Sequence, residues 1–344
     1  MRAESVYLSG IGSYVPDLVT TEQAVANGWY DEATRQASGL ESVAISDTLS
    51  APEMAVKAAE VALRRSGHAP EDFGALVHAS AYHQGPDGWS PQHYILQNTL
   101  RQPITAMELR QGCQGMLTGL ALAAHRLAYE PEKSAVLLTA ADNYSAPLVN
   151  RWTTSRLSIF GDGAAAVTVS RERGFARLLS VGTHSAPGME ALHRGSEPIF
   201  PPAVTVGREM DFEARVRFWM EEWAAGNTPP MAHPGEVMQK ALDIALKDAG
   251  ITLDEITRVC HPSATLDALR DQFLDPLGLE LERGIWDHTK KVGHIAAADV
   301  FIGLEYVWRS GQAGPGDKVL IFTGSPGFEA GCAIVEILSD PEGE

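Results

Sequence analysis

Cys113 lies in ELRQGCQGMLTGLALAAHRL (residues 108–127), flanked by Gly112 and Gly115 at the start of a small-residue run with helical periodicity. At a helix N-terminus the unpaired backbone N–H groups and the helix dipole stabilise a thiolate, the form that acts as a nucleophile. The same context also suits a buried small hydrophobe. Cys260 and Cys332 lie inside strand-like runs, RVCHPS and EAGCAIVEI, and are read as core. Three widely spaced cysteines without a CxxC pattern offer neither a disulfide framework nor a zinc site, and no metal is expected.

A thiol nucleophile needs a base, and the base needs a group that orients it. Of eleven histidines, His294 stands out in GHIAAADVFIGLE, five residues before Asp299. A carboxylate among so many apolar residues is costly to bury alone, which favours a specific partner for Asp299. His261, which follows the strand-like TRVC, is a second candidate.

These residues are placed by an internal repeat. PEMAVKAAEVALRRSGHAPEDFGALVHASAY (52–82) and GEVMQKALDIALKDAGITLDEITRVCHPSAT (235–265) align at a constant offset of 183, matching Ala62, Leu63, Gly67, His78, Ser80 and Ala81 with Ala245, Leu246, Gly250, His261, Ser263 and Ala264. Each copy reads as an amphipathic helix ended by Gly, a short acidic linker and a strand. AVLLTA (135–140) falls on KVLIFT (318–323) at the same offset. Matching Gly112 with Gly293, each followed by a helix, sets Cys113 opposite His294. His78, the repeat mate of His261, warns that both of those histidines are structural. Strands alternating with helices predict an α/β fold with buried parallel strands, in halves 1–171 and 172–344 fused in one layered body. Residues 184–232 fit the repeat least and read as an insertion carrying a helix, a wall or lid for substrate.

Composition narrows the function. An apolar content of 44% with 21% charged residues is globular, and a net charge of −17 without a Lys/Arg run argues against nucleic acid. There is no basic segment followed by an apolar stretch at the start and no run long enough to span a membrane, so a cytoplasmic location is expected.

Taken in order, GCQGMLTGL, FGDGAAAVTVS (160–170), CHPSATLD (260–267), VGHIAAADVFIGLE (292–305) and FTGSPGFEAGCAIVEI (322–337) resemble the ketoacyl-acyl carrier protein synthase III family of the thiolase fold, as does the opening VYLSGIGSYVPDLVTTEQAV. The resemblance covers essentially the whole chain. It implies a five-layered αβαβα architecture, a homodimer, and Cys113 accepting an acyl group from a thioester on coenzyme A or on the phosphopantetheine of an acyl carrier protein, with no permanently bound cofactor. His261 matches the family histidine, but His294 occupies the position of the family asparagine, which in condensing members supports decarboxylation of a malonyl thioester. Cys113, His294 and Asp299 therefore resemble the triad of synthase III-like acyltransferases of natural-product pathways, which pass the acyl group to a hydroxyl, an amine or a carrier thiol on acceptors such as polyketides, aminocyclitols or deoxysugars. A decarboxylating condensing enzyme and a non-catalytic carrier-binding member are the alternatives.

Two further departures from the family bear on the site. Trp29 is kept, but Ala37 replaces the arginine of the nucleotide clamp, which favours a carrier-protein donor. Pro326 falls where a glycine N–H helps to hold the oxyanion, and proline has no N–H, so Ser325, Gly327 or His261 must supply that donor. Phe218, Trp219 and Trp223 of the insertion are candidates for packing on the acceptor, or for anchoring their helix. Lys290 and Lys291 are candidates for contact with an acidic carrier protein, and Asp162 reads as a turn residue beside the active-site floor.

Overall fold

A computed structural model describes residues 1–227 and 234–341. The strands are β1 (Tyr7–Tyr14), β2 (Leu18–Thr20), β3 (Ser42–Ala44), β4 (Phe73–Ser80), β5 (Thr105–Arg110), β6 (Ala135–Asp142), β7 (Gly163–Ser170), β8 (Ala176–Ser185), β9 (Ile256–Cys260), β10 (Lys318–Ser325) and β11 (Glu329–Ile337). Nine of them run in the order β5-β4-β6-β7-β1-β8-β11-β10-β9. The join between the halves is narrow, because β1 meets β8 only at Tyr7↔Arg177 and Leu8↔Ala176.

The halves repeat one plan. Helix Ala51–Ser66 and helix Pro234–Ala249 are related at both ends by the offset of 183, as are β6 and β10. Local chemistry sets these boundaries. Ser50 and Glu53 form a reciprocal capping box at the start of the first helix, and Gly67 ends it at φ 66°, a left-handed value that glycine adopts without penalty.

Alternation along the strands separates the layers. Leu76 and Leu137 face the outer helix Ala51–Ser66. Leu320, Phe322 and Ile334 face the outer helix Pro234–Ala249. Val77, Val136, Leu138, Val319, Ile321 and Val335 turn inward onto the central helices Gly115–Tyr129 and Asp299–Arg309. Outer helix, sheet, central helices, sheet and outer helix are the five layers of a thiolase-like α/β fold. Because strands such as β4, β6 and β7 are buried on both faces, every residue in them is covered, which explains their continuous apolar sequence. No helix among the described residues is long and apolar enough to cross a membrane.

Candidate active site

The two central helices begin side by side, each through a short turn of 3-10 helix. Cys113 lies in the turn Gly112–Gln114 ahead of helix Gly115–Tyr129. The turn Ala296–Ala298 precedes Asp299, the first residue of its helix, with His294 just before it. His294 is held by its backbone to the FGDG segment: its N–H donates to Ile159 O (2.8 Å), and its carbonyl accepts from Gly161 N (3.0 Å). Glycine is required at this crossing. A Cβ on Gly161 would lie 2.4 Å from Val292 O, and Gly293 turns at φ 75° with only 2.8 Å between an added Cβ and Val43.

The expected juxtaposition is present. Cys113 Sγ lies 3.1 Å from His294 Nε2, and His294 Nδ1 donates to Asp299 Oδ2 at 2.7 Å. Asp299 is fixed in turn by the N–H of Ser263 (2.7 Å to Oδ2) and of Ile295 (3.4 Å to Oδ1). His294 is 9% exposed and Asp299 4%. Burial disfavours a charged imidazole, but the neighbouring Cys113 thiolate and Asp299 carboxylate outweigh it and hold the pKa of His294 well above its ordinary value.

His261 departs from expectation. It is fully buried, its Nδ1–H donates to Pro262 O (2.9 Å), and its Nε2 accepts from Ile285 N (3.0 Å). With both nitrogens occupied and burial pushing its pKa down to about 4, it is a neutral structural residue and has no free donor for an oxyanion or a substrate. Its repeat mate His78 is spent in the same way, on Thr139 Oγ1 and Gln84 Oε1 at 3.0 Å each.

Ser325 and Pro326 pack on Gly112. A Cβ there would meet Pro326 Cδ at 2.9 Å and Ser325 Cβ at 3.6 Å. The Ser325 hydroxyl is buried without a partner. Gly327 lies in the turn 326–328 that joins β10 to β11. Cys260 and Cys332 are buried core thiols whose pKa burial raises, as their strand contexts implied.

The wall beside Cys113 is aromatic, and the insertion contributes to it through residues other than Phe218, Trp219 and Trp223. Tyr144, Val149, Phe160 and Ala296 form a buried cluster that Tyr82, Cys113, Met210 and Phe212 pack against. Phe160 lies 5.7 Å from the His294 ring and 4.5 Å from Tyr144 (centroid distances). The insertion reaches the site through Met210 and Phe212, at the start of its helix Phe212–Ala224. Phe218, Trp219 and Trp223 lie elsewhere. Trp219 pins the helix by donating from Nε1 to Ala191 and Leu192 carbonyls, Phe218 packs edge-on against it, and Trp223 is 44% exposed. Part of the 184–232 segment, residues 228–232, lies outside the described residues.

Beside this wall a cleft of about 350 Å³ is lined by Tyr30, Asp31, Thr34, Thr154, Arg156 and Met210, among others. Trp29 itself is 49% exposed and is not in that lining. Lys290 is held by Glu41 (2.9 Å) and Asp287 (3.1 Å), so its charge is neutralised locally, whereas the Lys291 side chain is exposed.

Asp162 is more than a turn residue. It forms a buried bidentate ion pair with Arg151 (3.0 and 2.9 Å) and accepts the N–H groups of Ser46 and Tyr144. Spacing did not reveal Arg151, because its partner is eleven residues away across the FGDG turn. Asp142 was missed as well. It accepts from the N–H groups of Ala81 and Tyr82, and burial pushes its pKa from 3.8 up to about 7. A carboxyl raised in this way contributes stability that is present below about pH 4 and is lost as pH rises through 7. Asp142→Asn should therefore gain stability relative to the parent between pH 5 and pH 8, on the order of 2 kcal/mol, read from melting curves at the two values.

A thiol, an imidazole and a carboxylate thus stand in line at the paired helix starts of a layered thiolase-like fold. Profiles described as 3-Oxoacyl-[acyl-carrier-protein (ACP)] synthase III and its C terminal match residues 107–187 and 246–337. Beta-ketoacyl-[acyl-carrier-protein] synthase III of Clostridium beijerinckii is 26% identical over 96% of this chain and 99% of its own. Beta-ketoacyl-[acyl-carrier-protein] synthase III 3 of Streptomyces coelicolor is 26% identical over 95% of each. Among solved structures, the acyltransferase ChlB3 superposes with a TM-score of 0.92 and 36% identity over 97% of this chain and 98% of its own. The synthase III of Pseudomonas aeruginosa gives 0.79 at 20% identity over 98% and 100%. The chain belongs to the 3-oxoacyl-[acyl-carrier-protein] synthase III family of the thiolase superfamily and is a transferase; the family uses acyl thioesters of coenzyme A or of acyl carrier protein.

Proposed function

We propose that the protein is a ping-pong acyltransferase that loads an acyl group onto Cys113 and passes it to a heteroatom. The observation that carries this reading is the Cys113–His294–Asp299 line (3.1 and 2.7 Å), with a titratable imidazole where the family resemblance places an asparagine.

In the first step the Cys113 thiolate attacks the donor carbonyl, a bond forms from Sγ to the acyl carbon, and the donor carbon–sulfur bond breaks. The departing thiolate takes the proton from His294 Nε2. Acylation removes the negative charge on Cys113, one of the two that held that proton, so His294 is left neutral and basic. In the second step the acceptor attacks the acyl carbon, its proton goes to His294 Nε2, and the bond to Sγ breaks. The thiolate and imidazolium are thereby restored. Asp299 keeps Nδ1 protonated and the ring in place throughout. The N–H of Cys113 and the unpartnered hydroxyl of Ser325 are the oxyanion donors, the latter replacing the N–H that Pro326 lacks.

The donor is an acyl thioester of an acyl carrier protein or coenzyme A, its arm entering by the cleft that shares Met210 with the wall at Cys113. Lys291, whose side chain is exposed, is the basic contact for a carrier. The acceptor is a natural-product hydroxyl, amine or carrier thiol. β5 pairs with β4 alone, and its free edge suits a homodimer. Incubation with a panel of acyl thioesters should add the mass of one acyl group to the intact protein, mapped to the peptide containing Cys113. A panel that adds none sinks the proposal.

A further inference from the structure

Tyr144 has no part in the proton transfers above, yet it sits in the cluster that Cys113 packs against. It is 2% exposed, with its ring between Phe160 (4.5 Å) and Tyr82 (5.6 Å). Its backbone N–H is anchored to Asp162 Oδ1 at 2.8 Å, and the buried Arg151 grips that carboxylate, so the residue is held from both ends. Its hydroxyl makes no hydrogen bond with any described residue, and unlike the Ser325 hydroxyl it is not among the fully enclosed unpartnered groups, so its oxygen keeps surface that a bound group can reach.

No nearby protein group serves as its acceptor. Asp142 takes the N–H groups of Ala81 and Tyr82, Asp299 takes His294 and Ser263, and Asp162 takes Arg151 and Ser46. Val149, Phe160, Met210 and Phe212 carry no side-chain oxygen or nitrogen. Burial, together with the negative charges of Asp142, Cys113, Asp162 and Asp299, raises the pKa of the phenol and keeps it protonated, with its O–H available to donate. An acyl group on Cys113, which packs against this same wall, can bring the acceptor for this donor.

We propose that Tyr144 is a specificity-determining residue whose hydroxyl donates to an oxygen on the acyl chain, so that the cargo is an oxygen-substituted acyl group and not a plain hydrocarbon. The inference rests on the acyl-transfer reading and names its substrate class. A site built to hydrogen-bond a substrate oxygen discriminates strongly against the analogue that lacks it, because the buried donor is then left unpaired.

The test uses N-acetylcysteamine thioesters in matched pairs: pentanoyl against 3-oxopentanoyl and 3-hydroxypentanoyl, and benzoyl against its three monohydroxy isomers. Loading of Cys113 is followed by intact mass. In the wild type an oxygenated member should load at least about tenfold faster than its hydrocarbon partner. Tyr144→Phe keeps the ring packing and should bring that ratio close to one. A wild type with no preference in any pair overturns the inference without recourse to a variant, as does a Tyr144→Phe protein that keeps the preference. Failure of every thioester to load overturns the acyl-transfer reading and this inference with it.

Discussion

Cys113→Ala should show no acyl adduct with any thioester and should lose transfer activity by at least about 10⁴-fold. The prediction is sharp because the other two cysteines offer no substitute. Cys260 and Cys332 are buried in β9 and β11, and burial keeps them as un-ionised thiols. The change should leave the fold intact, since Cys113 lies in a one-turn element and is only partly buried. Intact-mass spectrometry with a melting curve separates lost chemistry from lost structure. An adduct of the same stoichiometry on the alanine variant would place the nucleophile elsewhere.

His294→Asn should slow discharge of the acyl-enzyme by about 10²–10⁴-fold, the range associated with a positioned general base. An amide fills a similar space and can hydrogen-bond to Asp299, but it takes no proton from an alcohol or amine at neutral pH. The variant should therefore accumulate the acyl-enzyme when both substrates are supplied, because the second step suffers more than the first. Rapid-quench mass spectrometry measures the two steps separately. Discharge at the parental rate would remove His294 from the role of base.

Much of this site was legible in the sequence because duplication carries geometry. Matching Gly112 with Gly293 put Cys113 opposite His294, and the fold brings them to 3.1 Å. The offset that aligned the strands also relates both ends of the outer helices, since buried parallel strands leave little freedom in register. Asp299 was legible for a related reason: a carboxylate in an apolar helix start must have a partner.

What was not legible depended on which face a side chain presents. His261 occupies the family position, but its two nitrogens are taken up by Pro262 and Ile285, a matter of local backbone course that residue type does not express. The aromatic residues of the insertion read equally as a substrate wall or as an anchor for their helix; Trp219 is the anchor, and Met210 and Phe212 pack at Cys113. Arg151, Asp142 and Tyr144 left no signal because their partners come together only across loops.

The central claim is that the acyl group on Cys113 departs to a heteroatom, and the most direct measurement is a chase of the loaded enzyme. Protein acylated at Cys113 and freed of donor is mixed in parallel with a panel of alcohols, amines and carrier thiols, and with malonyl thioester. Mass spectrometry follows the adduct, and trapping follows carbon dioxide. The account predicts discharge by a hydroxyl, amine or thiol acceptor to give an ester, amide or thioester, with no carbon dioxide released from the malonyl mixture. Discharge by malonyl thioester alone, with one carbon dioxide released and a new carbon–carbon bond formed per turnover, would contradict it.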